Sequence, residues 1–141
     1  MMRILPTMVL LLAGMGLGAV LTTQASGARA DRRVFEVRTY TTHDGRLDAL
    51  HARFRNHTMR LFEKHGMTNV AYWTPEDPAL ASRTLVYVLA HQSREAAKRS
   101  WDAFRNDPEW QKVKADSEAD GPIIVRLESV FGEATDYSPL R

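Results

Sequence analysis

The order of hydrophobic patterns along residues 34–131 is the sequence feature that most constrains the fold. Segments with the two-residue alternation of strands and segments with the 3.6-residue period of amphipathic helices follow one another as β-α-β-β-α-β. Chains with this order form a four-stranded antiparallel sheet that carries its helices on one face. The sequence therefore predicts an α+β, ferredoxin-like domain.

Turn-forming residues mark where these segments end. Gly66 is placed to end the first helix, and Ser93 and Asp107 are N-cap residues for the later helices. The short gap between the second and third strands favours an antiparallel hairpin. The predicted strands are residues 34–41, 67–74, 83–91 and 123–131. The predicted helices are residues 46–65, residues 94–105 and a segment that runs from Pro108 to Gly121.

The apolar stripes of these helices predict which side chains face the core. On the first helix Leu50, Phe54 and Leu61 form the apolar side, and Arg53 is predicted to lie off it. Trp101 and Trp110 are assigned to the packing of the later helices, together with Ala97, Phe104 and Val113.

Residues 1–30 have the three parts of a secretory signal peptide. Arg3 supplies the positive end, an apolar run follows, and Ala28 and Ala30 are the small residues that signal peptidase reads. We therefore expect cleavage before Asp31 and export to the periplasm or the medium. The alternative is an uncleaved leader that anchors the chain in the membrane, since the apolar run has nearly the length of a spanning helix.

The charge of the chain changes when this leader is removed. The whole sequence of 141 residues has 19 Lys and Arg against 17 Asp and Glu, a net charge of +2. Because the leader contains two arginines and no acidic residue, the mature chain is neutral, which does not predict binding to nucleic acid. The lack of cysteine excludes disulfides, thiolate metal sites and cysteine nucleophiles. We expect one domain over residues 31–132 and an irregular tail over residues 133–141.

One face of the first strand combines charged and aromatic side chains. Glu36, Arg38 and Tyr40 share that face because side chains alternate along a strand. We predict that this is the open face of the sheet, away from the helices, and that Tyr87 of the third strand lies on it. Such a face is too apolar to remain in water. Two sheets packed face to face would cover it, so we expect a homodimer.

Charged residues on the predicted open face are the best candidates for a ligand site. Burying them is costly unless they are paired. Arginine binds a carboxylate through two parallel hydrogen bonds, and aromatic rings stack on an aromatic ligand. The alternative, given equal weight, is a set of ion pairs that fix the dimer. The candidate pocket comprises Glu36, Arg38, Tyr40, His57, Trp73, Tyr87, Arg126 and Glu128.

The histidines do not have the spacing of a metal site. His51, His57 and His65 are six and eight residues apart on the first helix, whereas two ligands on one helix face need a spacing of four. We expect His65 to be partly buried at the helix end, and His43 and His91 to lie in loops. No metal or cofactor is predicted.

Several short motifs follow one another along the chain: Glu36-x-Arg38-x-Tyr40, Gly45, Glu63-Lys64-His65-Gly66, Tyr72-Trp73, Val86-Tyr87-Val88-Leu89 and Asp107-Pro108-Glu109-Trp110. In this order they resemble the NIPSNAP family. The resemblance covers nearly all of residues 34–129 and implies a dimeric α/β-barrel in which two sheets pack together. The family has no agreed set of catalytic residues, so none is carried over. The secretory leader is not a mitochondrial address, so the mitochondrial and vesicle-traffic roles of eukaryotic relatives are not transferred.

Three functions are consistent with these observations. The first is an exported, non-catalytic homodimer that binds a small aromatic or carboxylate-bearing molecule between its sheets. The second is a small cofactor-independent monooxygenase or isomerase of the same barrel type, with His57 or Tyr87 as the proton-transfer group. The third is a protein-interaction module in which the charged face only makes the dimer.

Overall fold

A computed structural model describes residues 33–140, so the predicted leader over residues 1–30 lies outside the described residues. All predicted strands and helices are present, most of them ending within two residues of the expected positions. The elements in chain order are β1 (Val34–Thr42), α1 (Leu47–Arg53), a π-helical turn (Phe54–Thr58), α2 (Met59–Lys64), β2 (Thr68–Trp73), α3 (Pro78–Ala81), β3 (Thr84–His91), α4 (Arg94–Asn106), α5 (Pro108–Ser117) and β4 (Ile124–Glu133).

The four strands form one antiparallel sheet in the order β2-β3-β1-β4. This is the strand order of the ferredoxin-like fold, and the predicted α+β class is confirmed. In the centre of the sheet Arg38 of β1 lies opposite Tyr87 of β3 on one side and opposite Ser129 of β4 on the other. Within residues 33–140, no helix is long and apolar enough to cross a membrane.

The short helix α3 and the end of strand β4 differ from the sequence-based expectation. The short helix α3 was not predicted; the Asp77 side chain accepts a hydrogen bond from the Ala79 N–H and so caps it. Strand β4 runs to Glu133, beyond the predicted end at residue 131, because the first residue of β1, Val34, pairs with Glu133. Residues 134–140 form no helix or strand.

The predicted first helix is interrupted by the π-helical turn. This turn widens the helix by one residue, so that Thr58 rather than His57 follows Phe54 on the inward side. The Thr58 hydroxyl donates to the Arg53 carbonyl at 3.2 Å, which stabilises the wider turn. His57 is consequently exposed. Arg53 is buried, so the prediction that it lies off the apolar side is wrong.

The helices cover the sheet face that the sequence analysis assigned to the open side. Tyr40, Leu85, Tyr87 and Leu89 all lie in the core beneath the helices, and Glu36 is 1% exposed there. The alternation of side chains is as predicted, but the choice of the open face is wrong. Both faces are partly apolar, and the helices cover the one with the larger side chains, which buries more surface.

The opposite face of the sheet is the open one. Val37 of β1 lies opposite Val130 of β4 near its centre, and Val130 is 67% exposed. Arg126 and Glu128 alternate with Val130 along β4 and share this face, where their side chains approach to 3.5 Å. These exposed apolar side chains form an unpartnered patch across the two strands.

Asp107 connects the end of the first helical segment to α5. Its Oδ1 atom accepts from the Glu109 N–H and caps α5, and its Oδ2 atom lies 2.7 Å from Lys64 Nζ and 2.6 Å from His65 Nε2. Hydrogen bonds from Lys64 and His65 hold the pKa of Asp107 well below its ordinary value. The prediction that His65 is partly buried at the helix end is confirmed.

We expect Asp107→Asn to lower Tm at neutral pH by about 3–5 °C, and we expect this deficit to shrink progressively as the pH falls below about 4. A carboxyl whose pKa is lower in the folded state stabilises above its unfolded-state pKa and ceases to do so once it is protonated. Asparagine also caps helices, so the substitution isolates the ionic contribution. Thermal unfolding followed by circular dichroism over a pH series measures the difference.

Asp77→Asn is the matched control for this series. Asp77 also precedes a proline and caps a helix, but it is exposed, and within the described residues its carboxylate accepts only the Ala79 N–H. Its Tm curve should stay parallel to that of the unsubstituted protein. A deficit of Asp107→Asn that is the same at every pH would contradict the ionic role.

Candidate functional site

A cavity of about 350 Å³ lies between the helices and the β1–β4 side of the sheet. It is bounded by the sheet on one side and by the π-helical turn, α4 and α5 on the other. The lining residues are Arg38, Tyr40, Arg53, Phe54, Thr58, Phe62, Trp101, Phe104, Arg105, Trp110, Lys114, Glu118, Pro122, Ile124 and Leu127.

A buried carboxylate fixes the wall of this cavity at the sheet. The Oε1 atom of Glu36 accepts hydrogen bonds from Arg38 Nη1 at 3.1 Å and Ser129 Oγ at 2.6 Å. Its Oε2 atom accepts from Trp101 Nε1 at 2.7 Å and pairs with His91 Nε2 at 2.9 Å. The carboxylate thereby joins three strands to helix α4.

The balance of burial and hydrogen bonding keeps Glu36 ionised. Burial alone raises the pKa of this carboxyl, but the hydrogen bonds from His91, Ser129 and Trp101 and the charge of Arg38 outweigh it, and the pKa is lowered. An ionised Glu36 can only accept hydrogen bonds, so each of its partners must be a donor. His91 therefore carries a proton on Nε2. The Arg38–Glu36 pair is therefore a buried ion pair with no net charge.

Arg38 is held on the cavity wall by an aromatic ring. Its guanidinium carbon lies 3.9 Å from the centre of a Trp101 ring and 5.5 Å from the centre of the Tyr40 ring. One of its nitrogens donates to Glu36, while its buried Nε has no hydrogen-bond partner among the described residues. Arg38 therefore lines the cavity with its guanidinium group, while its unpartnered Nε is enclosed by the protein.

Arg53 repeats this arrangement at another part of the wall. Its Nη1 atom donates to Glu118 Oε1 at 3.1 Å and to Ser117 Oγ at 3.3 Å, and its guanidinium carbon lies 5.3 Å from the centre of a Trp110 ring. The side chain is 2% exposed, and its Nε also has no partner in the part of the chain that the structure describes.

The charges that line the cavity are predominantly positive. Arg38, Arg53, Arg105 and Lys114 contribute four positive charges, and Glu118 contributes one negative charge. Burial raises the pKa of Glu118, but its hydrogen bonds to Lys114 and Arg53 outweigh this effect and lower it, so Glu118 is ionised at neutral pH. Glu36 neutralises Arg38, and Asp102 pairs with Arg105 from outside the lining. Arg53, Lys114 and Glu118 therefore leave one net positive charge, which favours an anion.

Comparison with known proteins identifies the family of this chain. The NIPSNAP family profile matches residues 35–139, which is most of the chain. The chain belongs to the NIPSNAP family. This confirms the resemblance carried by the Glu36-x-Arg38-x-Tyr40 and Asp107-Pro108-Glu109-Trp110 motifs.

Solved structures support the same assignment of fold. A NIPSNAP family protein of Agrobacterium tumefaciens is 20% identical, with a TM-score of 0.67, and the match covers 79% of this chain and 96% of that one. A NIPSNAP-like domain protein of Burkholderia xenovorans is 16% identical, with a TM-score of 0.67 over 77% and 90% of the two chains.

A third solved structure extends the likeness beyond the family. SnoaB, a cofactor-independent oxygenase of Streptomyces nogalater, is 15% identical, with a TM-score of 0.52 over 77% of this chain and 98% of that one. No curated protein matches the sequence significantly. The TM-scores show that the fold is shared. Identities this low do not allow residue roles to be transferred.

Three of the predicted site residues of this NIPSNAP protein meet at the cavity. Arg38 and Tyr40 line it, and Glu36 lies directly behind Arg38. The sequence analysis placed them on the face between two sheets, whereas the structure places them beneath the helices of a single chain. The reason is the saturated hydrogen bonding of Glu36, which allows a charged pair to be buried in the core.

The structure places Arg126 and Glu128 on the opposite face of the sheet. They are paired in register with Thr41 and Thr39, which alternate with Arg38 and Tyr40 along β1. Grouping them with Glu36 and Arg38 was therefore wrong. The predicted alternation of side chains along β4 did not specify which face of that strand lies on the same side of the sheet as the charged face of β1.

The two predicted proton-transfer residues do not line the cavity. His57 lies in a surface groove between the π-helical turn and α5. Tyr87 is fully buried in the core beside Tyr40, where its hydroxyl makes no hydrogen bond of regular geometry with a described residue. Its burial and the neighbouring Tyr40 raise the pKa of Tyr87 well above its ordinary value, so it stays neutral.

The remaining predicted residue, Trp73, is at the edge of the sheet. It is 46% exposed and borders a surface groove that also contains Tyr72. The groove is separated from the cavity by Phe54, which lines both. Trp73 therefore does not contact the arginine-bearing walls.

Sequence reasoning missed four residues that build the site. Trp101 and Trp110 pack as predicted but also hold the two arginines. The spacing of three residues between Leu50 and Arg53 was an available signal, since it places both on one helix face. His91 was predicted in a loop. It is instead the last residue of β3, where it is buried because its Nε2 donates a hydrogen bond to the Glu36 carboxylate.

We expect Glu36→Gln to lower the free energy of unfolding by about 3–5 kcal/mol. The amide nitrogen of glutamine cannot accept hydrogen bonds, so two of the donors lose their acceptor and Arg38 loses its counter-charge in the core. Urea unfolding followed by tryptophan fluorescence measures the change.

The matched control is Asp102→Asn. Asp102 also pairs with an arginine, Arg105, across a short distance, but that ion pair is exposed on α4. Its substitution should leave the unfolding curve within error of the unsubstituted protein. Equal effects of the two substitutions would contradict the structural role of Glu36.

Proposed function

We propose that this NIPSNAP protein binds a small aromatic carboxylate in the cavity between its helices and its sheet. The observation that carries the proposal is the position of Arg38, whose buried guanidinium lines the cavity wall and is held there by Trp101 and Glu36. The proposal keeps the predicted ligand class and moves its site from the space between two sheets to the interior of one chain.

The environment of Arg38 suits a ligand carboxylate. Trp101 and Glu36 fix the guanidinium before a ligand arrives, so little side-chain entropy is lost on binding. A guanidinium presents its nitrogens in a planar fork that matches a carboxylate. Glu36 is already satisfied by its other donors, which leaves Arg38 free to share its charge with a ligand.

The remaining walls suit an aromatic ring. Tyr40, Phe54, Trp101 and Trp110 contribute ring surface to a cavity of about 350 Å³. This volume lies at the lower end of the range for small-molecule sites, about 300–1,000 Å³. An aromatic acid would bury its ring among these residues and direct its carboxylate at an arginine.

Binding is favoured here over turnover. The fold is shared with a cofactor-independent oxygenase, but a fold does not determine an activity. The two residues predicted to transfer protons, His57 and Tyr87, are outside the cavity wall. The cavity combines cationic and aromatic groups, which is the chemistry of recognition.

We expect Arg38→Gln to weaken binding of 2-naphthoate by about tenfold or more, because a charge-assisted hydrogen bond is lost. Titration calorimetry measures the affinity, and circular dichroism checks that the variant is folded. If Arg38→Gln alone unfolds the protein, the double variant Glu36→Gln/Arg38→Gln replaces it in the titration, because it removes both buried charges.

Arg126→Gln is the control for the loss of one positive charge. Arg126 lies on the same sheet but on the open face, away from the cavity, so its substitution should change the affinity by less than about twofold. Unchanged affinity in a folded Arg38→Gln variant would refute the proposed site.

The proposal includes export and a homodimer. The leader supports export, and the open face of the sheet supports pairing with a second copy. Val37 and Val130 are apolar and exposed at the centre of that face, with Arg126 and Glu128 beside them. A two-fold axis brings the same face of a second copy against it and covers these exposed side chains.

We expect a native mass spectrum of the exported protein to give a dimer of chains that begin at Asp31. Val130→Glu should give monomers, because it places two like charges near the two-fold axis in an apolar contact. Leu80→Glu is the control, since Leu80 is an exposed apolar residue on α3 rather than on the sheet. Dimers of Val130→Glu would exclude pairing through the open face.

A further inference from the structure

Arg53 is, with Arg38, one of the two buried cations that line the cavity, and it belongs to a different element. It is at the end of α1, whereas Arg38 is in the middle of β1. Its side chain is almost completely buried, and its Nε lacks a partner among the described residues. Because a guanidinium does not lose its charge in a protein, this site needs an anion at all times.

The anion that Arg53 has in this structure is Glu118. This carboxylate is in a more exposed setting than its partner, with 17% of its side chain exposed. It follows the last residue of α5 and also pairs at 2.6 Å with Lys114 Nζ, whose side chain is half-exposed at the rim of the cavity. Glu118 can therefore turn towards solvent and keep a cationic partner, whereas Arg53 cannot leave the wall.

The backbone on both sides of Glu118 is fixed separately. The Nη2 atom of Arg46 donates to the Ser117 carbonyl and to the Gly121 carbonyl, each at 3.0 Å. Glu118 lies between these two anchored positions. Exchange of its carboxylate for another therefore needs a change of side-chain rotamer and leaves the turn in place.

We propose that Arg53 is a second anion subsite of the cavity, and that the ligand is an aromatic diacid whose second acidic group replaces Glu118. This inference rests on the proposed function, in which Arg38 binds the first acidic group. The two arginines lie on different elements that line one cavity, and each is held on the ring of a tryptophan, Trp101 or Trp110.

Binding of matched mono- and diacids tests this inference. Benzoate is compared with isophthalate and terephthalate, and 2-naphthoate with 2,6-naphthalenedicarboxylate, so that each diacid differs from its monoacid by one carboxylate. The measured quantity is the ratio of the monoacid Kd to the diacid Kd, determined by titration calorimetry at constant ionic strength. We expect at least one diacid to bind more tightly than its monoacid.

Substitution of Glu118 should strengthen that preference. Glu118→Gln leaves Arg53 without its internal anion, so the ratio should rise by about tenfold, as for one charge-assisted hydrogen bond. Asp116→Asn is the matched control, because Asp116 pairs with Lys112 four residues earlier on the same helix but does not line the cavity. It should leave the ratio unchanged.

Substitution of Arg53 should abolish the preference. In Arg53→Gln/Glu118→Gln both charges of the pair are absent, which avoids an unpaired buried charge, and diacids should bind no more tightly than monoacids. The inference is overturned if no diacid is preferred, if Glu118→Gln leaves the ratio unchanged, or if the double variant keeps it. Failure of monoacids to bind the unsubstituted protein would instead refute the site at Arg38.

Discussion

The Glu36 carboxylate is the interaction on which the rest of the structure depends. Removing an ion from water costs several kcal/mol, roughly, even after the protein relaxes. Hydrogen bonds from β3, β4 and α4, together with Arg38, compensate for that cost at a single group. Because these donors come from separate elements, the carboxylate is satisfied only when the sheet and α4 are assembled together.

This arrangement also explains how an arginine with spare donors can be part of the core. Arg38 is neutralised by Glu36 and packed on Trp101, so its charge is compensated before any ligand binds. Its remaining donors are directed by the same contacts that hold the fold. Stability and the proposed recognition of a ligand therefore depend on the same few residues.

The sequence predicted the order of the elements and the pairs of residues that share a face, because both follow directly from local periodicity. It did not predict which face the helices cover. Tyr40 and Tyr87 on one side and Val37 and Val130 on the other are both suited to burial, and only tertiary packing selects between them. The π-helical turn that moves His57 outward likewise depends on how Phe54 and Thr58 pack, which no propensity reports.

Arg38 and Arg53 differ in how firmly their counter-ions are held. Glu36 is buried and saturated with donors, so it orients Arg38 permanently. Glu118 lies at the end of a helix, partly exposed and shared with Lys114, so its bond to Arg53 is the weaker of the two. A ligand gains little by competing with Glu36 and much more by replacing Glu118. In the proposed mode of binding, the fixed pair therefore sets the orientation of an acidic ligand, and the exchangeable pair sets how many acidic groups the ligand needs.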